Sequence, residues 1–265
     1  MRFAIGALAG VILVAAGGAE ARPLRVLSLD QCADQYVLAL APDADLALSP
    51  RADDPDAWMK AAAAGRRRVR PTLEAAIAFQ PDVVVRYWGG EPRLLARLEA
   101  EGVRVLTIED ATDFEGVRAD IRTVSNGLGE ADRGEALILR MNATLPDRPA
   151  EEAAARPRAQ YLTAGGFTAG KGTLVDAILS AAGFVNAVEA PFFMPVSIER
   201  MVLSPPRRFV LGFFDQARGD WRGAGRHPVL QRLARGRVAA RLPAAALTCP
   251  GWFAADAAAM LKDGL

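Results

Sequence analysis

Residues 113–145 constrain the fold of this chain more than any other stretch. Phe114, Val117, Ile121, Val124 and Leu128 recur at spacings of 3, 4, 3 and 4, which places one apolar stripe along an α-helix. The stripe breaks at Gly127 and Gly129, then resumes with Leu137, Met141 and Leu145. Two consecutive helices make a stiff connector rather than a flexible linker. On either side, roughly a hundred residues read as alternating strands and helices. The pattern predicts an α/β molecule: two Rossmann-like lobes joined by a rigid interdomain helical segment, with a ligand cleft between them. The expected organisation is a leader over 1–21, an N-terminal lobe over 22–112, connecting helices over 113–148 and a C-terminal lobe over 149–265.

The leader has its own logic. Arg2 supplies a positive start, Phe3 to Ala16 an apolar run, and Ala19-Glu20-Ala21 a small-x-small cleavage site. The sequence therefore predicts a secretory signal cut after Ala21 and a periplasmic mature protein. An uncleaved anchor is the rival, since the 17 residues from Phe3 to Ala19 could just span a bilayer. No cysteine lies near the site for lipid attachment. In an exported chain, Cys32 and Cys249 have two readings: buried free thiols, or a bridge from the end of the first strand to the end of the last.

Along the mature chain, Arg25–Leu29 reads as a buried strand, Asp30 opens a helix to about Leu40, and Leu46–Ser49 reads as a second strand. A helix from Pro71 through Phe79 stops at Pro81-Asp82 and launches the strand Val83–Tyr87, followed by a helix over 92–100 and a strand over 103–108. The Pro- and Ala-rich stretch 146–157 reads as the lobe boundary. Beyond it come the strand Gln160–Thr163, a loop from Gly165 to Gly172, a helix from Thr173 to Ala182, and a helix beginning at Pro195. The strand Arg208–Phe213, a helix over 228–234, the strand Val238–Leu242 and a closing helix Trp252–Lys262 complete the plan. PTLEAAIAFQPDVVVRY in the first half echoes PVSIERMVLSPPRRFVLGFF in the second: helix start with Glu, apolar helix, proline stop, buried strand, aromatic. The echo argues for two lobes built alike.

Several chemistries are argued against. The formal net charge is +1, which offers no electrostatic case for nucleic acid. Gly165–Gly172 nearly spells a phosphate-binding loop, but Gly172 stands where the Mg²⁺-binding hydroxyl belongs, so it reads as a glycine-rich turn. With one histidine, His227, the chain lacks the makings of histidine-rich metal capture or a His-dependent triad. Nothing points to an enzyme or to a resident cofactor. In parallel α/β layers ligands meet the carboxyl ends of strands. Those ends, with nearby loops, nominate Arg51, Tyr87, Trp88, Phe167, Phe193, Asp215 and Trp252: aromatics and an arginine suited to a large, flat or partly anionic ligand. Glu74 and Glu199 occupy matching helix starts. A carboxylate there complements the helix dipole, or it is presented to arginines on a partner.

Arg25 to Asp34, Pro71 to Glu74 with Pro81 to Val85, Gly165 to Thr173, Ala181 to Asn186 and Pro195 to Glu199 together resemble a known family. It is the periplasmic substrate-binding proteins of ABC importers for cobalamin, ferric siderophores and haem, whose lobes are joined by a helical backbone. The resemblance implies that Glu74 and Glu199 dock onto arginines of an inner-membrane permease dimer served by an ATPase. Tyr87-Trp88-Gly89-Gly90 and Phe167–Lys171 resemble cleft segments of a cobalamin binder. Cobalamin binders carry first-lobe aromatics where this chain has Arg51 and Arg68, which suit an anionic ferric chelate or haem propionates. The expectation is a monomeric carrier of a ferric siderophore or corrinoid with a small hinge motion. Haem is the alternative ligand, and an exported α/β enzyme or a ligand-free structural or signalling module are rival classes.

Overall fold

The computed structural model describes residues 22–147, 155–216 and 222–264. The expected leader with its cleavage site, and the expected lobe boundary at 148/149, lie outside the described residues. Among them, no helix is long and apolar enough to cross a membrane.

The first lobe is built from β1 (Arg25–Ser28), α1 (Gln31–Leu40), β2 (Asp45–Leu48), β3 (Arg67–Arg68), α2 (Leu73–Phe79), β4 (Val83–Arg86), α3 (Pro92–Ala100) and β5 (Arg104–Thr107). Its strands lie in the order β3-β2-β1-β4-β5, all parallel. Val26 and Leu27 of β1 and Val83 to Val85 of β4 are fully buried. Such unbroken apolar runs belong to a sheet covered on both faces. Helices start where the sequence offers caps: Asp30 accepts from the backbone N–H of Cys32 and Ala33, and Thr72 from Ala75.

The connector comprises α4 (Phe114–Leu128) and α5 (Ala131–Thr144). These helices double back as an antiparallel pair rather than continuing as one rod. Gly129 ends α4 at φ 77°, a left-handed cap that glycine adopts without Cβ strain. Gly134 then meets the Ser125 side chain so closely that a Cβ would collide with it. Arg118 donates to Asn142 at 2.7 and 3.0 Å and Arg122 to Glu135 at 2.7 Å across the pair. Val117, Ile121, Val124 and Leu128, four members of the apolar stripe, are buried against the first lobe.

The second lobe runs β6 (Arg158–Thr163), β7 (Phe167–Ala169), α6 (Leu174–Ala181), β8 (Val185–Asn186), β9 (Phe193–Pro195), α7 (Ile198–Leu203), β10 (Arg208–Gly212), α8 (Pro228–Ala234), β11 (Val238–Leu242) and α9 (Ala254–Lys262). Its parallel sheet has the order β11-β10-β6-β8. Set against the first lobe, β8-β6-β10-β11 repeats β2-β1-β4-β5, and α2–β4 matches α7–β10, the echo seen in the sequence. The second lobe lacks a counterpart of β3 and adds a small antiparallel pair, β7 with β9, where the sequence predicts loop over 165–172 and a helix from Pro195. Pro195 instead closes β9, opposite Phe167, and α7 begins only after the Ser197 cap.

The lobes meet in a seam. Cys32, in the first turn of α1, is bonded to Cys249, in the segment before α9, with Cα atoms 5.4 Å apart. Of the two cysteine readings, the structure contains the bridge, although it ties a helix start to a loop rather than strand end to strand end. Beside it the Tyr36 hydroxyl donates to Pro250 O at 2.9 Å, Trp252 packs edge-on against Tyr36, and Phe253 stacks on Trp58.

Candidate functional site

The two lobes bring the carboxyl ends of their strands to a shared cleft. A cavity of about 280 Å³ is lined from the first lobe by Tyr87, Asp110 and Thr112, and from the second by Thr173, Leu174, Phe192, Phe193 and Thr248, among others. Cys249 belongs to the same wall. In parallel α/β sheets the crevice opens where strand order reverses, here between β1 and β4.

Asp30 builds that reversal point. One carboxylate oxygen caps α1, and the other accepts from the Tyr87 N–H at 2.7 Å and the Gly89 N–H at 2.9 Å. The turn after β4 is thereby held, with Tyr87 aimed at the cleft and Trp88, 73% exposed, edge-on to the Tyr87 ring. The Tyr87 hydroxyl donates to Asp110 at 2.8 Å. Burial pushes that hydroxyl up to about 12, so Tyr87 stays a neutral donor with an aromatic face. Beneath, Asp120 accepts from the Glu109 N–H at 2.9 Å, and its other carboxylate oxygen is buried without a partner. Burial pushes Asp120 up to about 6, with the charges of Glu109 and Asp110 adding to the rise.

Across the cleft, the N-terminus of α6 contributes Thr173, which caps the helix by accepting from the Asp176 N–H at 3.2 Å. The β7–β9 ladder continues outward through Gly170 N–H to Phe192 O at 2.9 Å and Phe192 N–H to Lys171 O at 3.2 Å. This extension carries Phe192 and Phe193, 68% and 58% exposed, to the cleft. Phe192 has φ 64°, a conformation rare for an aromatic residue and of a kind that collects at binding sites.

Of the eight ligand residues expected from sequence, this cavity gathers Tyr87 and Phe193, with Trp88 adjoining. The others are placed differently. Arg51 donates to Asp54 at 2.7 Å. Arg68 holds Ala63 O and Arg66 O and pairs with Asp53, bracing its own loop. Phe167 lies half-exposed on β7, opposite Pro195, rather than on a cleft turn. Asp215 accepts from the Ala244 N–H at 3.0 Å. Trp252 is buried in the seam and faces another cavity of about 670 Å³, shared with Trp58, Leu137 and Met141. The reason is common to these placements: being near a strand end does not decide whether a side chain turns outward or into its own lobe. Asp110, Thr112 and Thr248 are cleft residues the sequence reading missed. They sit one loop beyond β5 or β11, and only their position after a strand could have pointed to them. Glu74 and Glu199 are both exposed in the first turns of α2 and α7.

A family model described as periplasmic binding protein matches residues 33–247. The cobalamin-binding protein of Halobacterium salinarum is 27% identical over 172 residues, covering 63% of this chain and 47% of that protein. The chain thus spans about half the length of the curated relative. Among solved structures, the periplasmic heme-binding protein BhuT in complex with two hemes is 25% identical, with a TM-score of 0.65 over 91% of this chain and 97% of that one. The periplasmic vitamin B12 binding protein BtuF of Vibrio cholerae is 22% identical, with a TM-score of 0.63 over 91% and 96% of the two chains. A possible iron-binding periplasmic protein from Staphylococcus epidermidis is 15% identical, with a TM-score of 0.70 over 92% and 98%. At those identities the last two speak for the fold alone.

Proposed function

The chain belongs to the periplasmic binding protein family, and on that premise we propose that it captures a metal chelate between its lobes and delivers it to an inner-membrane ABC permease dimer. The observation that carries this reading is the cleft itself. It lies at the carboxyl edges of two topologically equivalent sheets and is lined by Tyr87, Phe192 and Phe193 rather than by an acid–base or nucleophilic constellation. Aromatic faces over a shared gap suit a flat macrocycle or a ligand-wrapped metal.

Among the chelates, a corrinoid is supported ahead of an anionic ferric siderophore. No lysine or arginine is among the described residues lining the cavity, and its charged group is Asp110. Arg51 and Arg68, which argued for an anion, are engaged with Asp54, Asp53 and backbone carbonyls. The curated relative named for cobalamin points the same way. Haem is the second reading, favoured by the neighbour that holds two hemes.

The test is titration of the purified protein with cyanocobalamin, haemin and several ferric siderophores, read by tryptophan quenching and confirmed by calorimetry. Trp88, in contact with the Tyr87 ring, is the reporter, and a Trp88→Phe variant separates its signal from that of buried Trp252. Saturable quenching by cyanocobalamin, with weaker or absent response to the others, is the expected result. Tight binding of a ferric siderophore alone would reverse the ranking, and no binding of any chelate would remove the carrier reading.

A further inference from the structure

The helices that carry Glu74 and Glu199 share more than a glutamate. Thr72 caps α2 and Ser197 caps α7, each accepting from the backbone N–H of the third residue on, Ala75 and Arg200. Counted from the cap, the glutamate stands second in both helices. A β-branched apolar residue, Ile77 or Val202, stands fifth. Glutamate and apolar residue are therefore three apart, neighbours on one helix face. Ile77 is 41% exposed and Val202 49%, while Leu203 beside it is 85% exposed. The inward faces are occupied separately, by Ala76 and Phe79 in α2 and by Met201 in α7. Among the described residues no cation of the chain pairs with either carboxylate, and Glu199 accepts from the Ser197 hydroxyl at 3.0 Å.

The sequences of the two helices otherwise differ, so the repeated register is informative. Each α-helix that precedes a strand of a parallel sheet starts at the sheet's carboxyl edge, the edge on which the cleft opens. An exposed ion pair alone contributes little and is screened by salt. An apolar neighbour that is covered on docking removes water from around the pair and adds attraction that salt does not screen.

We propose, building on the reading that this protein delivers its ligand to a permease dimer, that Ile77 and Val202 form a matched pair of apolar contacts on that dimer. There is one per lobe, with Leu203 widening the second. The occupant is a membrane-protein surface that repeats one feature at two points: an arginine beside an apolar patch. The glutamates set encounter and register, and the apolar pair holds the complex.

The experiment titrates ligand-loaded protein onto the permease–ATPase complex of the same organism in lipid nanodiscs, at low salt and at about 0.5 M salt. It compares wild type, Ile77→Ser/Val202→Ser and Glu74→Ala/Glu199→Ala. The apolar variant is expected to dock about tenfold or more weakly at both salts. Its melting temperature and chelate affinity are expected to stay unchanged. The glutamate variant loses affinity chiefly at low salt. If the apolar variant docks like wild type while the glutamate variant does not, this inference is overturned and the delivery reading stands. If neither pair alters docking, the inference and the docking role of the glutamates both fall. An equal loss of chelate affinity in the apolar variant would place its effect inside the lobe and overturn the inference.

Discussion

Tyr87 does two jobs with one side chain: its ring faces the cleft and its hydroxyl fixes Asp110. Removing the ring should therefore be felt at the ligand. Tyr87→Ala and Phe193→Ala are each expected to weaken chelate binding about 10- to 100-fold, as lost aromatic anchors do, measured by calorimetry. Trp252→Phe should instead lower the melting temperature with chelate affinity retained, since Trp252 packs on Tyr36 and Phe253 in the seam. Asp120 shows what a single buried group does to the pH profile. Its carboxyl, pushed up to about 6 by burial, binds a proton more tightly in the folded than in the unfolded chain. That contribution to stability is present at low pH and is lost as pH rises through about 6. Asp120→Asn should match wild type near about pH 4 and exceed it at about pH 8, by about 1 kcal/mol in urea unfolding. Asp34, buried and accepting from the Ser49 N–H and hydroxyl, is likewise raised by burial to about 6 and titrates in the same direction.

The connecting helices are the element on which the two lobes depend. Their apolar stripe was legible because a period of 3.6 residues is written directly in Phe114, Val117, Ile121, Val124 and Leu128. That the helices fold back on each other was not, since a glycine break permits either a kink or a reversal. The pair's sensitivity is local. Gly129→Ala should cost about 1 kcal/mol by forcing a Cβ into a left-handed cap. Gly134→Ala should cost about 1–3 kcal/mol by pushing the helices apart at Ser125. Both are read as a lower urea midpoint. The β7–β9 pair was missed for a different reason: three-residue strands, Phe-Thr-Ala and Phe-Met-Pro, carry too few alternations to stand out from a loop.

At the scale of the whole molecule, the seam ties the two lobes together. The Cys32–Cys249 bridge joins positions 217 residues apart, and Cys249 belongs to the cleft wall. The core of the first lobe takes in Trp252, Phe253 and Ala255 from the chain's other end. Closing so long a loop restrains the unfolded chain strongly, so Cys32→Ser/Cys249→Ser should lower stability by about 3–5 kcal/mol, measured by urea unfolding without reductant. The α1–loop seam then loses its covalent tie and keeps the packing around Tyr36 and Trp58, and chelate affinity is expected to fall with it.

The sequence by itself determined the class of fold, the duplicated lobe plan, the helical connector and the glutamates at matching helix starts. Each is encoded by local periodicity, capping or repetition, which act over a few turns of chain. Only the tertiary structure decided which strand-end residues turn to the cleft and which are spent on their own lobe. It also decided that the two cysteines meet and that the C-terminal segment completes the first core. These depend on where distant segments come to rest, and that is settled by the packing of both cores together rather than by any short stretch of residues.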